Sequence, residues 1–379
     1  MNESWRMDLK IQPLQVSAYR PPTVTRPAAQ TMAQEPVDLS LSTAQADPKL
    51  IKPGQLQWSS FVQPQAETLA KGLPGWEQTP ASGLADLAAR YFSQSEFQAL
   101  NSGTYHNVEH PLVVAEAAGG FAQGLGWSPE RKLFIQQVAL LHDADDRSQV
   151  GSEEAKVGTP ARAQVTLEWM DQQQEALRER FDWSPEQFTE AKALIARTDF
   201  PFDDKPKKPM GTRYDEQSPV QVYKDLLEQL PKEKQAQVLR DGLALRFADQ
   251  AGFYAGSFDQ AVQSVEGLAL ELQTVGVPTD LASSLKFTPK FLVDVGKDTG
   301  FDRQLAGELG HTLQLPGRDE LLSSWEPAMA QRFRSNSAQF DFLAQAVDSL
   351  PPQDVTANLA SLKESARSVY RLTTGRTPS

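Results

Sequence analysis

Three of the chain's four histidines fall in one short window. His106 and His110 belong to Tyr105-His106-Asn107-Val108-Glu109-His110, and His142 opens His142-Asp143-Ala144-Asp145-Asp146. Histidine is the commonest protein metal ligand and the usual proton shuttle near neutral pH. A chain this poor in histidine that sets it beside Asp143 has the ingredients of a metal or acid–base site. His106 and His110 are four residues apart, which on a helix puts both on one face. Pro111 permits that helix only if it begins just upstream, because proline disfavours a helical residue before it. His142 and Asp143 diverge by about a hundred degrees around a helix. They can share one ion only near a helix end, where the backbone relaxes. A second carboxylate from elsewhere completes a His/His/Asp/Asp set, and the candidate is Asp249, at the polar end of the apolar helical face around Leu245-Arg246-Phe247-Ala248-Asp249.

Nitrogen and oxygen ligands in this mixture suit a hard-to-borderline divalent ion: Mg, Mn, Fe, Co or Zn. Such an ion lowers the pKa of bound water from 15.7 to about 7 and polarises a phosphoryl oxygen. An unligated histidine close by protonates a leaving oxygen, a role worth roughly 10² to 10⁴ in rate. His106 is free for that role if His110 binds the ion.

The elements that must position these residues read as helices. Residues 1 to about 55 mix Pro, Gln, Thr, Ser and Ala without periodicity and are expected to form a flexible tail. From 82 to 100, apolar residues recur at helical spacing. Val113, Val114, Ala117 and Ala118 continue the histidine motif as a helix that Gly119-Gly120 is expected to loosen at its end. Ser128-Pro129-Glu130 is a helix start, with a capping hydroxyl and proline at the first position, and it leads to His142-Asp143. Ser184-Pro185-Glu186-Gln187 repeats it, with Gln187 placed to close a capping box, and Pro201 ends that helix. Residues 203 to 219 are charged and proline-rich, hence an exposed loop. Helical spacing resumes over 220–230, 234–251 and 258–272, then from 291 to 347, with fraying after about 368. No run alternates with the period of a strand. The expected fold is all-α: a helical bundle over 56–368 behind a disordered tail of 1–55, with a frayed end over 369–379.

A net charge of −12 argues against a nucleic-acid polymer or an anionic membrane as partner. No cysteine occurs, which excludes disulfides, thiolate catalysis and zinc–thiolate sites. No apolar run is long enough to span a bilayer and the N-terminus lacks the apolar core of a signal peptide, so a cytoplasmic protein acting on a small molecule is expected.

Residues 105–110 resemble the YHNxxH signature of class I cyclic nucleotide phosphodiesterases, within the HD-domain superfamily of metal-dependent phosphohydrolases. Leu140-Leu141-His142-Asp143-Ala144-Asp145 is similar to that family's HD-containing helix end. Ala196-Arg197-Thr198-Asp199-Phe200 is similar to its threonine–aspartate segment, and Asp249 falls where its last aspartate ligand is expected. The resemblance implies that His110, His142, Asp143 and Asp249 hold a first metal, that Asp143 bridges to a second, and that His106 is the general acid. It also implies substrate contacts from Tyr105 and Thr198. Ser337-Ala338-Gln339-Phe340-Asp341-Phe342 is similar to the stretch in which the family places a purine-orienting glutamine and a stacking phenylalanine, which makes Gln339 and Phe342 readers of the base. The implied activity is hydrolysis of a nucleotide phosphoester, a cyclic nucleotide first of all. Two departures keep alternatives open. Asp146 stands where the family has histidine, closer to the HD-x-x-E/D pattern of guanosine-tetraphosphate hydrolases, and no histidine follows Thr198-Asp199. A phosphohydrolase of a non-cyclic nucleotide, or a nucleotide-binding module that no longer cuts, are the other readings. Arg197 and Arg246 read as ion-pair partners of nearby acids, and Asp145, Asp146, Glu153 and Glu154 as a solvated acidic loop.

Overall fold

The computed structural model describes residues 81–93, 96–97, 100–101, 105–144, 162–207, 211–274 and 279–376. The expected tail over 1–55 and the acidic loop with Asp145, Asp146, Glu153 and Glu154 lie outside the described residues. Within them every regular element is helical and no strand occurs: α1 (Ala81–Tyr91), α2 (Glu109–Gly124), α3 (Pro129–Leu141), α4 (Arg162–Gln172), α5 (Gln174–Phe181), α6 (Pro185–Thr198), α7 (Pro219–Glu228), α8 (Lys232–Ala251), a 3₁₀ turn (Gly252–Ala255), α9 (Phe258–Thr274), α10 (Leu281–Asp294), α11 (Gly300–Glu308), α12 (Arg318–Ser324), α13 (Pro327–Asp348) and α14 (Pro352–Thr374). The all-α expectation holds.

Helix α2 lies at the centre. It packs on α3 along one side and on α8 along another, and α8 packs on α6. Val114, Ala115, Ala117 and Phe121 of α2 are fully buried, as are Val138, Ala139 and Leu141 of α3 and Leu239, Leu245 and Ala248 of α8. A second group, α10, α13 and α14, packs together, and the 3₁₀ turn touches both α2 and α13. Because α2 is covered on nearly every side, its sequence is rich in small residues.

Gly119-Gly120 does not loosen α2, which continues to Gly124. A Cβ at Gly120 would stand 2.9 Å from the Met329 sulfur and 3.1 Å from Trp325 Nε1, and one at Gly124 only 1.9 Å from the Ser324 carbonyl oxygen. The glycines let α12 and α13 approach the backbone, and Trp325 Nε1 donates to the Ala117 carbonyl at 3.1 Å. Gly126, at φ +66°, then turns the chain toward α3.

Both start signals are found as read. Ser128 Oγ accepts from Arg131 N–H at 3.2 Å, and Ser184 and Gln187 exchange the two hydrogen bonds of a capping box. Elsewhere boundaries differ. Helix α1 ends at Tyr91 rather than near 100, and α14 continues to Thr374. The stretch from 291 to 347 is four helical pieces, not one, with Gly296 and Gly310 in left-handed turns between them. The 203–219 segment is anchored rather than wholly exposed, because Tyr214 is buried.

Candidate metal centre

Each of the four candidate ligands is delivered by a helix end. Asn107 Oδ1 accepts from the backbone N–H of Glu109 at 2.8 Å and of His110 at 3.3 Å, which starts α2 immediately before His110. Pro111 therefore falls in the first turn, where a missing N–H costs nothing. Helix α3 ends at Leu141; His142 follows as its cap residue and Asp143 comes next, where the helix has let go. Asp249 sits in the last turn of α8.

The four side chains converge. His110 Nε2 lies 3.0 Å from Asp143 Oδ2, 3.2 Å from Asp249 Oδ1 and 3.1 Å from His142 Nε2. His142 Nε2 lies 3.1 Å from Asp143 Oδ2 and 3.4 Å from Asp249 Oδ1. Both histidines are fully buried. His142 Nδ1 is 2.7 Å from the Ala139 carbonyl, which can only accept, so the imidazole proton sits on Nδ1 and Nε2 presents a lone pair. The His142 lone pair and two carboxylates thus meet beside His110 Nε2 inside the core, which favours a positive charge among them.

A divalent ion fits that requirement. Bonds of about 2.0–2.2 Å to one ion place neighbouring ligand atoms about 3.0 Å apart in an octahedron and about 3.4 Å in a tetrahedron. The observed separations span that interval, and the group of His110, His142, Asp143 and Asp249 can hold a metal ion. Among protonation states, burial pushes the His142 imidazole down, but the Asp143 charge and hydrogen bonds to Asp143 and Asp249 reverse this and hold it well above its ordinary value. His110 is raised in the same way, through hydrogen bonds to both carboxylates. Burial pushes both carboxyls up, yet the His142 and His106 charges hold Asp143 well below the usual range. Hydrogen bonds from His110 and His142 hold Asp249 at about 2.

His106 stands beside this group. Its Nδ1 is 2.6 Å from Glu271 Oε1 and its Nε2 is 3.6 Å from Asp143 Oδ2. Glu271 Oε2 also accepts the backbone N–H of Tyr105 at 2.9 Å and of His106 at 3.2 Å. One carboxylate from α9 thereby fixes both the ring and the backbone that carries it. Sequence reading misses Glu271 entirely. It sits in a plain helical stretch, Ala269-Leu270-Glu271-Leu272, with nothing beside it to mark it, and it comes into play only through folding.

Tyr105 and Phe253 wall the cluster. The Tyr105 ring lies 4.7 Å from His106 and 4.9 Å from His110, while Phe253 stacks on His110 at 5.5 Å and 22°. His110 is oriented by these rings, since its Nδ1 has no hydrogen-bond partner. Burial pushes the Tyr105 phenol well above its ordinary value, so it remains protonated.

Three other expected site residues stand differently. Thr198 is buried and donates its hydroxyl to Ile195 O at 2.8 Å, within its own helix. Gln339 is fully buried, and its amide donates to Ser335 and Asn336, all inside α13. Phe342 is half-buried and packs against the core. Helical packing thus places Gln339 in the interior and sets Phe342 against the core. Arg197 and Arg246 do pair with acids, Asp302 at 2.6 Å and Asp298 at 3.2 Å. Comparison with known proteins returns no matching family model, no matching curated relative and no matching solved structure.

Proposed function

We propose that this protein is a divalent-metal-dependent hydrolase of a nucleotide phosphoester, with a cyclic nucleotide as the favoured substrate. The observation that carries the reading is the convergence of His110, His142, Asp143 and Asp249 with a fifth group, His106, alongside but outside the set. The resemblance of residues 105–110 and 140–145 to phosphodiesterase motifs points the same way.

An ion held by those four residues supplies Lewis-acid polarisation of a phosphoryl oxygen and acidifies water at neutral pH. The chain's own residues do the rest. His106 keeps Nδ1 toward Glu271 and turns Nε2 toward the cluster, where a protonated imidazole can hand its proton to the departing oxygen. Glu271 orients the ring through His106 Nδ1. Tyr105 and Phe253 pack on the His110 ring and help hold it in place.

Metal analysis of the purified chain, followed by turnover of cyclic AMP, cyclic GMP, nucleoside triphosphates and guanosine tetraphosphate with manganese present, tests this. His106→Ala is expected to lower kcat by about 10² to 10⁴ with metal content unchanged, whereas Asp143→Ala is expected to lose the metal. Full activity in Asp143→Ala removes the mechanism.

A further inference from the structure

His110 is held differently from the other two imidazoles of the site. His106 and His142 are each fixed through Nδ1, by Glu271 at 2.6 Å and by the Ala139 carbonyl at 2.7 Å. The His110 Nδ1 has no hydrogen-bond partner, so the rotation of this ring is set by packing. Phe253 supplies the stacked face, 5.5 Å away at 22°. It also lies 5.6 Å from Tyr105, the second ring that packs on His110.

Phe253 belongs to the 3₁₀ turn Gly252–Ala255, which follows directly on α8 and its Asp249. On one side the turn presses against α2, where a Cβ at Gly252 would stand 3.1 Å from Val113 Cγ1. On the other it meets α13. The end of so short a helical turn leaves carbonyls without helical donors, and α13 supplies donors for three in a row. Arg332 Nε donates to the Ala255 carbonyl at 2.6 Å, and Asn336 Nδ2 donates to the Tyr254 and Gly256 carbonyls, each at 2.9 Å. Both residues are buried, and their spacing of four puts them on one face of α13. Burial pushes the Arg332 guanidinium down to about 10, which leaves it charged at neutral pH and its hydrogen bond charge-assisted. Tyr254 packs the same way, with its ring near Phe291 and Phe340. The turn therefore gives Tyr254 to the C-terminal helices and Phe253 to the metal centre.

We propose that Arg332 and Asn336 are positioning residues for the metal centre, a role that rests on the metal-binding reading above for what His110 holds. By fixing the turn on α13 they keep Phe253 against the His110 ring and so aim His110 Nε2 at the cluster. A hydrogen bond behind a ligating histidine normally does this work, and its loss lowers metal affinity by about 10- to 100-fold. At His110 a stacked ring on a clamped turn takes its place.

Calorimetry of the full chain with manganese, together with imidazole nitrogen NMR of the metal-free chain, tests this; the protein has only four histidines to resolve. Arg332→Met, which keeps the length and loses the donor, and Asn336→Ala are each expected to weaken manganese by about tenfold. Both are expected to shift or broaden the His110 signals while those of His311 stay in place. Arg332→Lys restores a charged donor and is expected to remain within about threefold of wild type. Phe253→Leu is expected to reproduce the loss. Adding Arg332→Met to it is expected to cost less than about twofold more, because both changes act on one route. Unchanged manganese affinity and unchanged His110 signals in Arg332→Met and Asn336→Ala overturn the proposal, as does a double variant in which the two losses multiply in full. Where Arg332→Met does not fold, Asn336→Ala, which removes two uncharged hydrogen bonds to the turn, decides. A wild-type chain that binds no manganese overturns the metal reading, and the His110 signals of the metal-free variants then decide the positioning role by themselves.

Discussion

An imidazole lone pair and two carboxylates cannot share a point in a protein core without positive charge between them. In this protein the Ala139 carbonyl commits the His142 proton to Nδ1, so the charge must come from outside that ring or from a second proton on it. Asp249→Asn removes one negative charge and leaves only a neutral amide oxygen in its place. It is expected to weaken manganese binding by at least about a hundredfold, read by calorimetry, since ligands are the largest single terms in a metal site. Glu271 works through His106 and not on the ion. Glu271→Gln loses the charge and turns one of the two accepting oxygens into an amide N–H₂, so it cannot serve both the His106 ring and the Tyr105 and His106 backbone N–H groups, and kcat is expected to fall about 10- to 100-fold at unchanged metal content. Glu271→Ala, which also strands the Tyr105 and His106 backbone N–H groups, is expected to cost a further 1–3 kcal/mol or so of stability in urea melts.

Helix ends carry the site. The asparagine of the Tyr105-His106-Asn107 run has a structural role, because its side chain starts α2 and so aims His110. Asn107→Ala is expected to lose about 1 kcal/mol of stability, the worth of a helix cap, and to lower metal affinity at the same time. The same α2 needs its glycines for close contact. At Gly124 a methyl would strike the Ser324 carbonyl, and Gly124→Ala is expected to destabilise by about 1–3 kcal/mol in thermal unfolding, although alanine is the better helix former.

Across the whole molecule, the cluster ties α2, α3 and α8 together, with α9 joined through Glu271. A metal ion bound by this group is thus expected to stabilise the fold. Manganese at a hundredfold over its Kd adds about 2.7 kcal/mol, and EDTA removes it. The pH dependence has a definite sign. Without metal, the raised His110 and His142 contribute stability that is fully present below the ordinary imidazole pKa and is lost as pH rises through their raised values. The depressed Asp143 and Asp249 contribute above the ordinary carboxyl pKa, and that part is lost as pH falls toward about 2. The metal-free protein is therefore expected to weaken from about pH 6 upward while the loaded protein, freed of competing protons, strengthens. Melts at about pH 5.5 and 8.5, with EDTA or manganese, are expected to show the gap in Tm widening at the higher pH. Among the described residues no helix is long and apolar enough to cross a membrane.

Much of this was legible in one dimension. Histidine scarcity and clustering, the proline-led helix starts and the absence of period-two alternation lead to an all-helical chain with a His/His/Asp/Asp group, because caps and periodicity are local properties of neighbouring residues. Even Asp249 stands out, as a carboxylate closing an apolar helical face. What local patterns could not supply was anything set by which helix lies against which. Glu271 is an ordinary helical glutamate until α9 packs beside residues 105 and 106. Gln339 is a candidate base reader in the sequence and only packing shows that α13 buries it, and Gly119-Gly120 looks like a weak point until α3 is found against Gly119 and Met329 and Trp325 against Gly120. Side-chain identity and spacing were enough to pick out the four converging side chains; burial and helix–helix contact, which depend on residues far apart along the chain, decided their partners.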